Sequence, residues 1–439
     1  MDQASNSTTP AAEARLVRGI RRWDLVAVAV NGIIGAGIFG LPSAVFKTIG
    51  VYSLAAFVVC AVVVALIVFC FAEVGSRFEG TGGPYLYARH AFGDLTGFEV
   101  GWLLLLARLT AFAANLNLLV EYLTFFWPGA GSGLTRVVVI TSIVIALTVA
   151  NLVGVRNTAR VTNVFTIGKL IPIAAFIAVG LFFVNSANFT PATRPGVGQF
   201  SSAVLLLVYA FSGFEIASIP AGEIENPRKN LPMSILTALC VVTVTYVLIQ
   251  VVCIGTLPEL GASTRPLADA SVAFIGRAGA SVISAGALIS IIGNLNVLVL
   301  AASRLPFAMA ERGELPPVFA TTHPRFRTPH ISIVSTTAVM LVVTLSGTFV
   351  YAASISVIAR LLAYIATCAA LIAFRRSSDS PPALFKIPAA TSVAVAALLL
   401  SGWLLINTDW SHGLVGASAA GFGLVVYYAY RALKRPSAK

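Results

Sequence analysis

The chain has 439 residues, 58% of them hydrophobic and 10% charged, with a mean hydropathy of +0.90. A soluble domain of this length has no means of hiding so much apolar surface, and a polytopic membrane protein has no need to. The net charge of +12 argues against a nucleic-acid partner once its distribution is considered, because the cations fall in short connections between apolar segments, as orientation signals do.

In chain order, residues 1–22 are polar and basic and are expected to form a cytoplasmic tail, with Met1–Ala12 disordered. No small-residue cleavage site follows the first apolar segment, so no removable signal peptide is expected. Apolar segments long enough to span lie near 24–46, 51–74, 94–126, 136–153, 161–184, 201–222, 232–256, 270–308, 331–347, 350–373, 386–406 and 412–433. At about 20 residues per span this predicts an all-α membrane protein of twelve transmembrane helices, the third and eighth long enough to tilt. The five cysteines (Cys60, Cys70, Cys240, Cys253, Cys368) all sit inside apolar runs without CxxC spacing. They read as free thiols, with no metal site and no cofactor implied.

The first segment is interrupted at its centre. In Asn31–Pro42 (NGIIGAGIFGLP) four glycines, Gly32, Gly35, Gly37 and Gly40, fall within nine residues, and each costs a helix about 1 kcal/mol relative to alanine. Backbone released from a helix inside a bilayer is tolerated only where it is buried in protein or lines a polar cavity. Two half-helices meeting there offer amides on one side and carbonyls on the other, a cradle for a small ion or zwitterion. The sixth segment carries a comparable interruption at Tyr209–Glu215 (YAFSGFE).

Lys and Arg set the orientation. With the N-terminus inside, the cytoplasmic connections collect most of the cations, among them Arg77, Arg89, Arg156, Arg160, Arg228, Lys229, Arg304 and Arg312. The outer side holds only Lys47, Arg136, Arg194, Arg265 and Arg277, so both termini are expected in the cytoplasm. Arg108, Lys169 and Arg360 remain within spans. The first helix of one five-helix set and the first of the next are both interrupted, the pattern of an inverted-repeat transporter. This divides the chain into a transport core over 23–375 (repeats 23–185 and 200–375), two appended helices over 386–433, and a tail over 434–439.

Four motifs carry a family resemblance. They are GIIGAGIF at Gly32–Phe39, YAFSGFEIASIPAGEIENPRKNLP from Tyr209, AEVGSRFEGTGGPYLYARHAFG at Ala72–Gly93, and AMAERGELPPVFATTHPRFRT at Ala308–Thr328. Their order and spacing resemble the amino acid–polyamine–organocation (APC) superfamily of permeases over roughly residues 20–375. The resemblance implies a LeuT-type 5+5 inverted repeat, first and sixth helices broken, that carries amino acids or amines by alternating access.

The candidate site follows. Amides around Gly35, Ala36 and Gly37 are expected to bind a substrate carboxylate, with the carbonyl of Ile33 available to its ammonium. The alternative is close helix packing through small residues. Carbonyls of Tyr209, Ala210 and Phe211 are further candidates for the ammonium, with Ser212 at the break and the rings of Tyr209 and Phe211 in a gate. Glu215 reads either as a proton-sensitive gate, by analogy with relatives, or as a structural partner of Arg108 or Arg360. The resemblance gives Lys169 the place that a sodium ion takes in sodium-coupled relatives, and so predicts that it contacts carbonyls of the first helix and serves coupling; the alternative is a lysine snorkelling to the interface. Tyr364 matches a tyrosine that helps occlude the site in some relatives, an interfacial or packing role being the alternative. Asn294 and Asn296 read as cavity residues or as interhelical hydrogen-bonding groups. Glu223–Pro232 and Phe78–Tyr85 read as gate-linked turns or as solvated loops.

The expected function is Na-independent amino acid transport at the cell membrane, by H⁺ symport or exchange, with the lipid bilayer and a small-molecule substrate as partners. An amine or polyamine antiporter and a transport-inactive amino acid sensor are the alternatives. An enzyme is not expected: His90, His323, His330 and His412 fall in loops or at span ends without metal-ligand spacing, and HExxH and GxSxG are absent.

Overall fold

The structure is a computed structural model and describes residues 21–78, 83–154, 158–190, 194–215, 224–378, 380–408 and 410–434. The described residues are helical, with no strand among them. The expected N-terminal tail up to residue 20, residues 435–439 of the C-terminal tail, the middle of the 78–85 loop and Glu223 lie outside the described residues.

The chain opens with α1 (Arg22–Ile33), α2 (Gly37–Ile49), α3 (Ser53–Gly75), α4 (Pro84–Phe92), α5 (Asp94–Leu123), α6 (Gly133–Val153) and α7 (Thr158–Gly180). It continues with α8 (Val197–Phe211), α9 (Pro227–Thr256), α10 (Pro266–Glu311), α11 (His330–Ser346), α12 (Phe349–Arg376), α13 (Ala390–Ile406) and α14 (Trp410–Lys434). A helix therefore occupies each of the twelve apolar segments, α1 and α2 sharing the first. By length and composition, seven of the described helices are apolar enough to cross a membrane.

Several boundaries differ from the sequence reading. The third segment stops at Leu123 rather than near 126, because Phe125–Pro128 leaves the helical path. The eighth lengthens to Pro266–Glu311 and kinks at Gly276 (φ 66°, ψ −159°), so it is two helices end to end. The loop after the second segment contains α4, started by Pro84 at its first turn, where a missing N–H costs nothing. The first appended helix begins at Ala390 rather than 386, because Pro388 precedes it and Ala389 takes a left-handed conformation.

Helix α5 forms the centre. Of its most apolar window 89% is buried, against 17% for α14, and it packs on α12, α10, α4 and α11. Helices α1 and α3 lie on α9, and α2 lies on α8. Large apolar side chains such as Leu134, Phe182, Ile406 and Leu433 point outward from the rim. Such exposure suits a lipid surface, since acyl chains take the place that water has around a soluble protein.

One acid binds the appended helices to the rest. Glu73, fully buried near the end of α3, accepts from Arg375 Nη2 of α12 at 2.8 Å and from the Ile387 amide at 2.9 Å. Arg77 Nη2 adds a donation at 3.3 Å and, through Nη1, holds the Pro381 carbonyl at 2.9 Å. The connection between α12 and α13 is therefore tied to α3 at Pro381 and Ile387.

Candidate substrate site at two helix breaks

The helical ladder of α1 ends at Ile33 and that of α2 begins at Gly37. Between them Ile34 has ψ 82°, outside the helical range, and the Gly35 amide folds back to the Ile33 carbonyl at 2.8 Å. Helix α8 ends at Phe211: Ser212 is extended (ψ 162°) and Gly213 has φ 109°, a left-handed value that favours glycine.

The two breaks pack directly on each other. A Cβ placed on Gly213 would lie 2.3 Å from the Gly32 carbonyl oxygen, and one on Gly37 would lie 2.8 Å from the Ala210 Cα. Any larger residue at either position would push the breaks apart. The surroundings are closed: Ile33, Ile34, Ala36, Ala210, Phe211 and Ser212 are all buried.

The C-terminal ends of α1 and α8 supply carbonyls, which carry the negative end of each helix dipole and favour a cation. The opening turn of α2 supplies the amides of Ala36 and Gly37, where helix geometry offers no intrahelical acceptor and the dipole favours an anion. The arrangement can thus hold an ammonium and a carboxylate a few ångströms apart using backbone alone.

Tyr246 of α9 joins the breaks. Its hydroxyl lies 3.1 Å from the Ile33 carbonyl and 3.0 Å from the Ala210 carbonyl. A phenol has one proton, so it can donate to only one of them at a time. Sequence reasoning missed this residue, since a tyrosine in an apolar run looks like packing, and its ring does pack on Phe57 and Phe211. The Tyr209 carbonyl accepts from Ser212 Oγ at 2.8 Å. The Tyr209 hydroxyl donates toward the Asn115 side chain at 2.7 Å, and the ring meets Phe349 edge-on.

Lys169 of α7, 2% exposed, donates from Nζ to the carbonyls of Ile34 at 2.6 Å and Asn31 at 2.8 Å. Those carbonyls have lost their helical donors to the break, and the ammonium takes their place. On the other side of the break, a Cβ on Gly35 would meet Asn294 Nδ2 at 2.4 Å. Asn296 instead accepts from Asn151 Nδ2 at 2.9 Å and serves an α6–α10 contact.

Glu215 lies just past the α8 break. It accepts from the Gly213 amide at 2.9 Å and the Tyr364 hydroxyl at 2.8 Å, and forms an ion pair with Arg360 of α12. Phe71 and Phe214 pack against the Tyr364 ring. Arg108 forms no ion pair among the described residues; its Nη1 donates to the Ala301 carbonyl of α10 at 3.1 Å. The structure thus brings Ile33, Gly35, Ala36, Gly37, Tyr209, Ala210, Phe211, Ser212 and Lys169 around the two breaks, with Glu215 and Tyr364 against the end of α8.

A second polar cluster lies outside the spans, where α4 meets the α10–α11 connection. Tyr85 donates to Glu314 Oε1 at 2.8 Å, Arg312 stacks over the Tyr85 ring at 4.7 Å, and Arg89 pairs with Asp94 at 2.7 Å. Burial raises the Glu314 carboxyl above the usual carboxylate range, with the Tyr85 hydrogen bond and the Arg89 and Arg312 charges opposing it.

The amino acid permease family model matches the chain over residues 20–427. The serine/threonine exchanger SteT of Bacillus subtilis is 31% identical, over 93% of this chain and 95% of its own. The methylthioribose transporter of the same organism is 27% identical, over 94% of each chain. Its branched-chain amino acid permease BcaP is also 27% identical, over 95% of this chain and 94% of its own.

Proposed function

Because the chain belongs to the amino acid permease family, we propose that it is a secondary transporter carrying amino acids across the cell membrane by alternating access, and that it is not an enzyme. In this reading twelve spans place both termini in the cytoplasm. Repeats over 23–185 and 200–375 form a LeuT-type core to which 386–433 is appended. The observation that supports it most is the contact between the two helix breaks, where carbonyls of Ile33 and Ala210 converge on one hydroxyl. A substrate ammonium, with three donors, satisfies both carbonyls at once where the phenol satisfies one. The substrate carboxylate goes to the amides of Ala36 and Gly37.

Transport is Na-independent in this reading. A cation already sits on the Asn31 and Ile34 carbonyls, supplied by the protein itself as Lys169. Movement is then driven by H⁺ symport or by exchange, with Glu215 and Tyr364 as the gate next to the α8 break. A second reading, an amine or polyamine carrier, is favoured by one feature: Ala36 adds no hydroxyl, so carboxylate recognition rests on backbone amides alone.

A thermal-shift screen of the purified protein separates these. Binding stabilises by RT ln(1 + [L]/Kd), about 2.7 kcal/mol at a hundredfold excess over Kd. Amino acids are expected to raise the melting temperature where amines of similar size do not. Stabilisation by amines alone would replace the first reading with the second.

A further inference from the structure

Three charged side chains lie buried beside the α8 break: Arg108 (7% exposed), Glu215 (3%) and Arg360 (5%). Glu215 and Arg360 are paired with each other. Arg360 Nε also reaches Ser356 Oγ at 3.4 Å, and that hydroxyl donates to the Ala107 carbonyl at 2.7 Å. Arg108 is left over. Of its five N–H donors one is bonded, to a neutral carbonyl, and among the described residues it forms no ion pair. The charged and titratable side chains near enough to act on it are Glu215, Arg360 and Tyr364.

One carboxylate thus faces two guanidiniums. Arginine keeps its proton in proteins, so among the described residues a surplus of one positive charge stays in low-dielectric surroundings, where an unpaired ion is costly. An entering anion removes that cost. Arg108 is well placed to meet one, lying three residues along α5 (about 4.5 Å of helix rise) from Ala111. The Ala111 carbonyl touches the Tyr209 hydroxyl at 3.2 Å.

We propose that the preferred substrate is an amino acid whose side chain itself ends in a carboxylate, and that Arg108 is the residue that reads it. This rests on the amino acid transport reading. The α-carboxylate is committed to the α2 amides, so the charge met by Arg108 belongs to the side chain. The planar guanidinium fork matches a carboxylate through two parallel hydrogen bonds.

Glutamate and glutamine, nearly identical in shape, test this in the purified full-length protein, with aspartate and asparagine as a second pair. Glutamate is expected to bind at least about tenfold more tightly than glutamine, because the amide leaves the charge unpaired. R108Q is expected to bring the two within about twofold of each other, and R108K, which keeps the charge without the fork, to retain part of the difference. Glutamine or a neutral amino acid binding wild type as well as glutamate would overturn the assignment of Arg108 and leave the transport reading standing. Binding of no amino acid at all would overturn both. The wild-type ratio decides the matter even if R108Q does not fold.

Discussion

The ammonium of Lys169 lies 2.6 Å from the carbonyl oxygen of Ile34, so a side chain of α7 occupies the place where the hydrogen-bond ladder of α1 has run out. Hydrogen bonds to a charged group are worth about 1.5–3 kcal/mol. Lys169→Ala removes two and leaves both carbonyls without a donor. Uptake into proteoliposomes is expected to fall at least about tenfold, with a monodisperse protein still recovered in detergent. Replacing sodium by choline in the wild-type assay is expected to change nothing, and a strict sodium requirement would show that Lys169 does not take the ion's place.

Tyr246→Phe keeps the ring between Phe57 and Phe211 and removes the one proton shared by the Ile33 and Ala210 carbonyls. The ligand-free variant is expected to lose about 1 kcal/mol of stability. With saturating substrate the deficit should shrink if, as proposed, the substrate ammonium serves the same two oxygens. Melting curves with and without ligand measure the difference directly.

Glu73→Gln probes the staple between α3 and the appended helices. Removing one side of a buried ion pair costs about 3–5 kcal/mol. Arg375 is partly exposed, so the lower end of that range is expected. Proteolysis within 377–389 should accelerate in the variant, because glutamine puts an NH2 donor in place of one of the two oxygens that accept from Arg77, Arg375 and the Ile387 amide.

Glu314 gives a pH dependence of defined sign. Its carboxyl is raised in the folded protein, so the native state holds this proton more tightly than the unfolded chain does. Its contribution to stability is present below the usual carboxylate range and is lost as pH rises through the raised value. Glu314→Gln fixes the neutral state. The melting temperature of the variant relative to wild type is therefore expected to climb as pH rises from the usual carboxylate range through the raised value, and a flat difference would mean the carboxyl titrates normally.

Much of this architecture was legible in the sequence because a bilayer imposes length: runs near 20 apolar residues mark the helices, and glycine crowding at 32–40 marks where the first one stops. The three intramembrane cations were equally visible, since nothing conceals an Arg or Lys in a hydrophobic run. What escaped was contact between distant segments. Glu73 and Arg375 stand 302 positions apart, and neither residue's local pattern names the other. The nine residues of α4 were too few and too polar to announce a helix whose stability comes from packing on α5 and α12. Tyr246 was hidden for the opposite reason, as its neighbourhood is what any buried tyrosine would show.

In the proposed function, backbone groups at two helix breaks hold both charged ends of an amino acid. Competition against uptake of a labelled substrate amino acid in proteoliposomes, using its N-acetyl and methyl-ester forms, tests it most directly. Each blocked form is expected to compete at least about a hundredfold more weakly than the free amino acid, because each removes a charge the cradle pairs with. Equal competition by either blocked form would contradict the assignment of the breaks as the binding site.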